Sequence, residues 1–211
     1  MSAKDQVYKF ISDQLTSGKL SRNDHITEQY LVNSIGLSRT PIREALLQLA
    51  STGILIREPR KGFRIKQFTK EDVEDIYEII GTLDGRIAQL TANQLTEKDL
   101  SVMQFLIKSM DAAIDTELYT KYNELQDSFH HVYINKCHNK FLKKELDNKL
   151  DMFIGKSYLH IKKGEINQLL KSTNQEHKQI LDLFKTGDQD KLRIFMENIH
   201  WSRTKAHYDI W

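Results

Sequence analysis

The sequence predicts a mainly α protein in two parts: a small basic module of three helices and a β-hairpin, then an all-α antiparallel six-helix bundle. Three observations carry this. The only prolines, Pro41 and Pro59, lie in the first third of the 211 residues, and proline-free sequence suits uninterrupted helices. Charge divides at the same place: residues 1–67 hold 11 Lys+Arg against 6 Asp+Glu, and residues 68–211 hold 20 against 23. Apolar residues recur at helical spacing almost throughout, except over residues 53–66, where they alternate. A chain of this length has room for two ordinary domains, placed at 1–67 and 68–211.

Composition excludes several classes. No apolar run is long enough to span a membrane, and the opening "MSAKDQVYKF" is charged and lacks the apolar core of an export signal. A cytoplasmic location with no membrane partner is expected. The single cysteine, Cys137, can form neither an internal disulfide nor a cysteine-based metal site, and is read as a buried small hydrophobe. A module of net charge +5 joined to one of −3 points to a polyanionic partner for the first part.

In "KDQVYKFISDQLTSGKL", Val7, Phe10, Ile11 and Leu15 form one helical stripe, and Gly18 is the stop. A second stripe of Ile26, Leu31 and Ile35 ends at Gly36, with Thr27 as its cap. In "GLSRTPIREALLQL", Ser38 suits an N-cap, and Pro41 falls in the first turn, where backbone N–H groups have no intrahelical partner. Ile42, Ala45, Leu46, Leu49 and Ala50 then mark the buried face. Arg39 and Arg43 share another face at the N-terminal end, where the helix dipole also attracts anions. Two helices joined by the tight turn Gly36-Leu37-Ser38 make a helix-turn-helix, whose second helix puts its leading residues at base edges of the major groove. Arginine suits that place because its fork can bond guanine O6 and N7 together. On these residues alone, the alternative is a solvated helix end whose arginines pair with Glu44 or Glu28. In "GILIREPRKGFRIK", Ile54 and Ile56, then Phe63 and Ile65, alternate around a turn at residues 58–62. A hairpin here completes a winged helix-turn-helix, with Arg60, Lys61 and Arg64 where a wing meets phosphates or the minor groove.

The bundle helices are expected near 70–94, 97–114, 118–136, 139–160, 165–186 and 188–207. Seven of the eight histidines lie in this part. "LQDSFHHVYINKCHN" sets Asp127 three residues before His130 and four before His131, so either pair shares a helix face. His177 opens a later helix and His200 closes the last. A carboxylate with imidazoles from different helices can build a metal centre, and nitrogen with oxygen ligands suits a divalent transition metal: zinc, nickel or manganese. The alternative is a set of hydrogen-bonded core or surface histidines. Tyr77, Arg86, Tyr133 and Tyr158 either line a cavity or serve ordinary packing. The run Lys140, Lys143 and Lys144 reads as a solvated face, and the end "WSRTKAHYDIW" as packing for the last helix.

"LSRTPIREALLQLASTGIL" followed by "RKGFRI" resembles the GntR-type bacterial transcription regulators. The resemblance implies a homodimer on a short palindromic double-stranded DNA operator. It assigns DNA contacts to Arg39, Thr40 and Arg43, with Ser38 beside them, and to Lys61 and Gly62 of the wing. Gln29 stands where some members carry a DNA-contacting arginine. "DSFHHVYINKCHNKFL" and "EHKQILDLFKTGDQDKLRIFMENIH" resemble the FCD-type effector domain of the FadR subfamily, in its shorter, VanR-like six-helix branch. Phe129-His130 with Asn139, and His177 with Gly187-Asp188, match its pattern. That resemblance implies a metal held by an aspartate and three histidines, with a small organic-acid effector beside it. The ligand set carried over is Asp127, His130, His177 and His200, with His131 in place of His130 if the register slips by one. The chain departs from the pattern in three places. Gln126 occupies the usual aspartate position, Ile199 that of the final histidine, and Ile80 that of an arginine in the first effector helix, with Asp84 where glutamate is usual. The expected function is a ligand-responsive, sequence-specific transcription regulator, a repressor and not an enzyme. The alternatives are a regulator with a metal-free cavity or a purely structural metal, and, more remotely, a metal-dependent enzyme fused to a DNA-binding arm.

Overall fold

The computed structural model of the chain describes residues 1–155, 158 and 161–209, with backbone alone for residues 163 and 207–209. Residues 156, 157, 159 and 160 of the expected fourth bundle helix, and 210–211 of the chain end, lie outside the described residues. The chain forms two compact units, Met1–Thr69 with Leu150–Ser157, and Lys70–Lys149 with Tyr158–Trp211.

In the first unit, α1 (Ala3–Thr16) starts at a capping box. The Ser2 hydroxyl accepts from Asp5 N–H, and the Asp5 carboxylate accepts from Ser2 N–H. Val7, Ile11 and Leu15 face inward as their spacing predicts. A short strand β1 (His25–Ile26) leads into α2 (Glu28–Ile35), capped by Thr27 and ended by Gly36. The helix α3 (Arg39–Ser51) follows, with Pro41 in its first turn and Ile42, Ala45, Leu46 and Leu49 buried. The strands β2 (Leu55–Glu58) and β3 (Gly62–Ile65) complete an antiparallel sheet of order β1-β3-β2. Two expectations need correction. Ile26 belongs to β1 and pairs with Phe63, so the sheet has a third strand that two residues could not announce by periodicity. Leu55, not Ile56, faces inward, because it stands opposite the buried Ile65 while Ile56 pairs with Arg64 on the outer face. Gly62 is required where β3 passes β1: its φ is +100°, and a Cβ there would lie 2.6 Å from the Ile26 carbonyl oxygen.

The core of this unit contains a residue from far along the chain. Ile154 is 1% exposed and belongs to the cluster of Val7, Ile11, Leu15, Ile42 and Leu49. Burying such a side chain contributes about 1.5–3 kcal/mol. The expected helix over 139–160 therefore stops short. It runs as α7 (Lys140–Leu150), followed by a single 3₁₀ turn at Asp151–Phe153, after which Ile154 enters the first unit's core.

The second unit is built from α4 (Lys70–Thr91), α5 (Glu97–Asp115), α6 (Tyr119–Ile134), α7, α8 (Lys163–Thr186) and α9 (Gln189–Phe195). α5 packs against α6 and α8, and α4 against α6, α9 and the segments after α9. Gly81 and Gly85, one turn apart on α4, let the backbone around Arg193 and Glu197 approach closely; a Cβ at Gly81 would meet Glu197 Cα at 3.3 Å. Asn139 Oδ1 accepts from Phe141 and Leu142 N–H at the start of α7. Cys137 is buried as a free thiol. The expected last helix is interrupted by a π turn at Met196–His200 and resumes as a 3₁₀ segment, Arg203–Asp209. A π turn takes up one additional residue. His200 accordingly points inward at 6% exposure and Ile199 outward at 46%, although the resemblance puts the final histidine at position 199. No helix among the described residues is long and apolar enough to cross a membrane.

Candidate functional site

The first unit presents a basic face. Ser38, Arg39, Thr40 and Arg43 are all exposed at the start of α3. Ser38 occupies the cap position without making a side-chain capping bond. Arg39 Nη2 donates to Gln29 Oε1 at 2.7 Å, and Gln29 Nε2 donates to Asn33 Oδ1 at 2.9 Å. Arg43 Nε lies 3.8 Å from Glu28 Oε1, yet its side chain stays 61% exposed. Both α3 arginines thus rest on α2 while remaining open to solvent. At the wing tip, Arg60 takes a left-handed φ of +66° and Lys61 is exposed, with Gly62 behind them. Arg64 differs: its Nε donates to Glu58 Oε1 at 2.9 Å, and Glu58 Oε2 meets His25 Nε2 at 2.7 Å. The bond to His25, then that to Arg64, holds the Glu58 carboxyl below the usual carboxylate range. Arg64 braces the three strands, while Arg60 and Lys61 stay exposed at the tip.

The second unit buries three imidazoles together. His130 from α6, His177 from α8 and His200 from the π turn offer ring nitrogens that all lie within 4.8 Å of one another. Each Nδ1 is already engaged. His130 Nδ1 meets the Tyr133 hydroxyl at 2.7 Å and Asp84 Oδ2 at 3.3 Å, while that hydroxyl donates to Asp84 Oδ1 at 2.7 Å. His200 Nδ1 meets Glu176 Oε2 at 3.0 Å. His177 Nδ1 meets Asn174 Oδ1 at 3.3 Å, and the Asn174 amide donates to the Ile107 carbonyl and to Asp111, which turns its oxygen toward the ring. Every one of these partners can accept, so in the neutral rings each Nδ1 carries the proton and each Nε2 carries a lone pair. The consequence is electrostatic. His130 Nε2 and His200 Nε2 face each other at 3.2 Å, and His177 Nε2 is buried with no hydrogen-bond partner.

Burial, then the neighbouring His200 and His130, pushes His177 well below the ordinary imidazole value; burial also lowers His200, against the opposing pull of Glu176. Burial would raise Asp84, but bonds from His130, Tyr133 and Trp201 outweigh it and hold the carboxyl low. Trp201 Nε1 donates to Asp84 Oδ2 at 2.8 Å. Three lone pairs with no protein donor between them, backed by two carboxylates, suit a divalent transition metal.

Asp127 is not part of this group. It lies on the solvent side of α6, 69% exposed, where His131 Nδ1 meets its carbonyl at 2.9 Å and its carboxylate at 3.3 Å. That bond raises His131 to about 9. The helical period turns His130 inward with Phe129 and Tyr133, and carries 127 and 131 outward together. Of the expected cavity residues, Tyr133 touches the cluster, Tyr77 packs edge-on against Trp201 at 5.4 Å, and Tyr158 donates to Asn123 Oδ1. Arg86 is exposed and donates to Gln89 Oε1, because its place on α4 is the outer one.

Residues 3–65 match the model of bacterial regulatory proteins of the gntR family, and residues 75–200 match the FCD domain. The chain belongs to the GntR family of bacterial regulatory proteins and carries an FCD domain. It is 30% identical over 152 residues to the HTH-type transcriptional regulator YdhC of Bacillus subtilis, covering 70% of this chain and 66% of that protein. It is 31% identical over 108 residues to McbR of Escherichia coli, covering 51% and 49%. These matches span about half to two thirds of those relatives' own length. In fold, the chain resembles the solved structure of E. coli McbR/YncC with a TM-score of 0.81 at 22% identity, covering 99% of this chain and 97% of that one. A GntR structure from Rhodococcus sp. RHA1 aligns with a TM-score of 0.70 at 15% identity, covering 97% and 96%.

For this GntR-family chain, sequence reasoning missed the residues that hold the others in place. In the sequence Gln29 marks only a lost contact, yet it anchors Arg39. Asp84, Asn174 and Glu176 support the histidines, and their signal in the sequence is polar residues recurring on otherwise apolar faces of α4 and α8.

Proposed function

We propose that the chain is a metal-dependent, ligand-responsive repressor. Two copies grip a palindromic DNA operator through Arg39, Thr40 and Arg43 of the recognition helix and the wing charges Arg60 and Lys61. His130, His177 and His200 hold a divalent transition ion in the helical unit. The observation that carries this reading is the facing of His130 Nε2 and His200 Nε2 at 3.2 Å beside the unpartnered His177 Nε2. Two opposed lone pairs repel, and a cation between them converts repulsion into ligation. Zinc, nickel and manganese all fit nitrogen ligands of this kind.

Three protein ligands leave coordination open for an effector oxygen. Ile80 is fully buried where an arginine would clamp an acid, so the metal itself supplies the positive charge that a small organic acid needs. Regulation, rather than catalysis, fits the surrounding groups. Asp84 and Glu176, the buried carboxylates beside the rings, each already accept an imidazole N–H, so neither is poised as a general base. Action on DNA implies a cytoplasmic protein. The test is elemental analysis of untagged protein purified without chelator, beside His177→Ala. About one metal per chain in the wild type, lost in the variant, is expected; no metal in either would sink the reading.

A further inference from the structure

The stretch Leu150–Gly155 is used neither by the basic face nor by the histidine cluster, and its docking in the DNA-binding unit is extensively built. Tyr8 donates to the Asp151 carbonyl at 3.2 Å, and Lys4 reaches the Asp151 carboxylate at 3.4 Å. Arg22 Nη2 donates to the Ile154 carbonyl at 2.8 Å, and Gly155 N–H donates to Ser12 Oγ at 3.3 Å. Ile154 fills the core. Gly155 has a φ of +68°, and a Cβ there would lie 2.6 Å from Leu15 Cβ, so only glycine lets the backbone lie this close to α1. α1 in turn packs against α3, whose N-terminal end carries Arg39 and Arg43. The same stretch follows directly on α7 and precedes α8, the helix bearing Asn174, Glu176 and His177.

We propose that Leu150–Gly155 is a regulatory strap, through which metal occupancy of the histidine cluster sets the stability of α1 and the recognition helix behind it. This rests on the metal reading of that cluster. Without a cation the lone pairs on α6, α8 and the π turn repel, leaving α8 free to shift; a bound cation fixes α8. The strap, joined to α8 through residues 156–162, has two states, docked and released, and metal favours the docked one. An equilibrium of this kind moves only if the ligand distinguishes the two states.

The experiment uses the full chain, stripped with chelator and then loaded with zinc(II), and follows amide hydrogen exchange in peptides covering 150–155 and α1. Metal content is measured on the same samples. In the wild type, zinc is expected to slow exchange in both peptides by about 5-fold or more, the lower end of ordinary coupling. In Gly155→Ala the zinc content is expected to stay the same while α1 exchanges fast with or without zinc. Arg22→Ala, which removes the Nη2 hydrogen bond to the Ile154 carbonyl and leaves the core side chains in place, is the second variant should Gly155→Ala fail to fold, and the same loss of response is expected. Zinc bound with no change at 150–155 and α1 in the wild type, or a response that survives in the variants, overturns the strap alone. No zinc uptake by the wild type overturns the metal reading, and the strap's role with it, before any exchange is measured.

Discussion

Arg39 and Arg43 stand on the same helix end but are held differently, one by a carboxamide at hydrogen-bond distance and one by a carboxylate at 3.8 Å. On the proposed reading, a neutral partner leaves Arg39 its full charge for DNA, and Arg43 would have to leave Glu28 to read a base. Arg43→Ala should therefore cost about 1–3 kcal/mol on the preferred operator and relax preference at one base position, measured by binding to a panel of operator variants. Equal weakening on operator and random duplex would count against base reading. Lys61→Ala should instead weaken all sequences alike and reduce the salt slope by about one. In the other unit, Asp84→Asn should lower metal affinity about 10- to 100-fold by loosening His130, while Asp127→Asn should leave it unchanged, both read by competition with a metallochromic chelator. The sequence made the three histidines legible but not their acid, because an i to i+3 spacing on one helix is a local signal. The pairing of Asp84 with His130 is tertiary, and no window of sequence contains it.

At the scale of elements, turn and cap chemistry was readable and strand phase was not. Thr27, Gly36 and Pro41 stand where helix grammar puts them. Three consecutive apolar residues, Ile54, Leu55 and Ile56, carry no period of two, so only pairing with β3 decides which face is buried. Gly62→Ala should destabilise the DNA-binding unit by about 1–3 kcal/mol through the left-handed backbone and the Ile26 carbonyl, seen as a lower melting temperature. The start of α5 offers a pH test. Lys136 Nζ lies 2.8 Å from Asp99 Oδ2, and this bond, with those from Thr96, lowers the Asp99 carboxyl from 3.8 to about 2. A lowered folded-state value means that the unfolded chain binds the proton first. The contribution is complete above pH 3.8 and disappears as pH falls through about 2. Melting temperatures of wild type and Asp99→Asn should accordingly converge as the solution is acidified across that window.

For the whole molecule, the division of charge and of proline predicted two units of different character, and the bundle's helical periods gave its class. Neither could show that the first unit is discontinuous, since Ile154 sits in a segment whose local pattern continues a helix. Only the tertiary pocket beside Ile11 and Leu15 distinguishes it. The unequal charge, +5 against −3, also predicts how the chain meets DNA. The logarithm of the affinity should fall linearly with that of salt concentration, with a slope of about 0.9 for each phosphate neutralised. A measured slope near zero would remove the basic face from the mechanism.

Ile154 also sets a clock on the ribosome. The first 67 residues leave the tunnel carrying a core that lacks one of its side chains, and that side chain arrives only after a further 87 residues have been added. At ordinary synthesis rates the delay is about 4–17 seconds. During that time the nascent basic module lacks one of its core side chains, and it completes its core only once the chain has been made through α7.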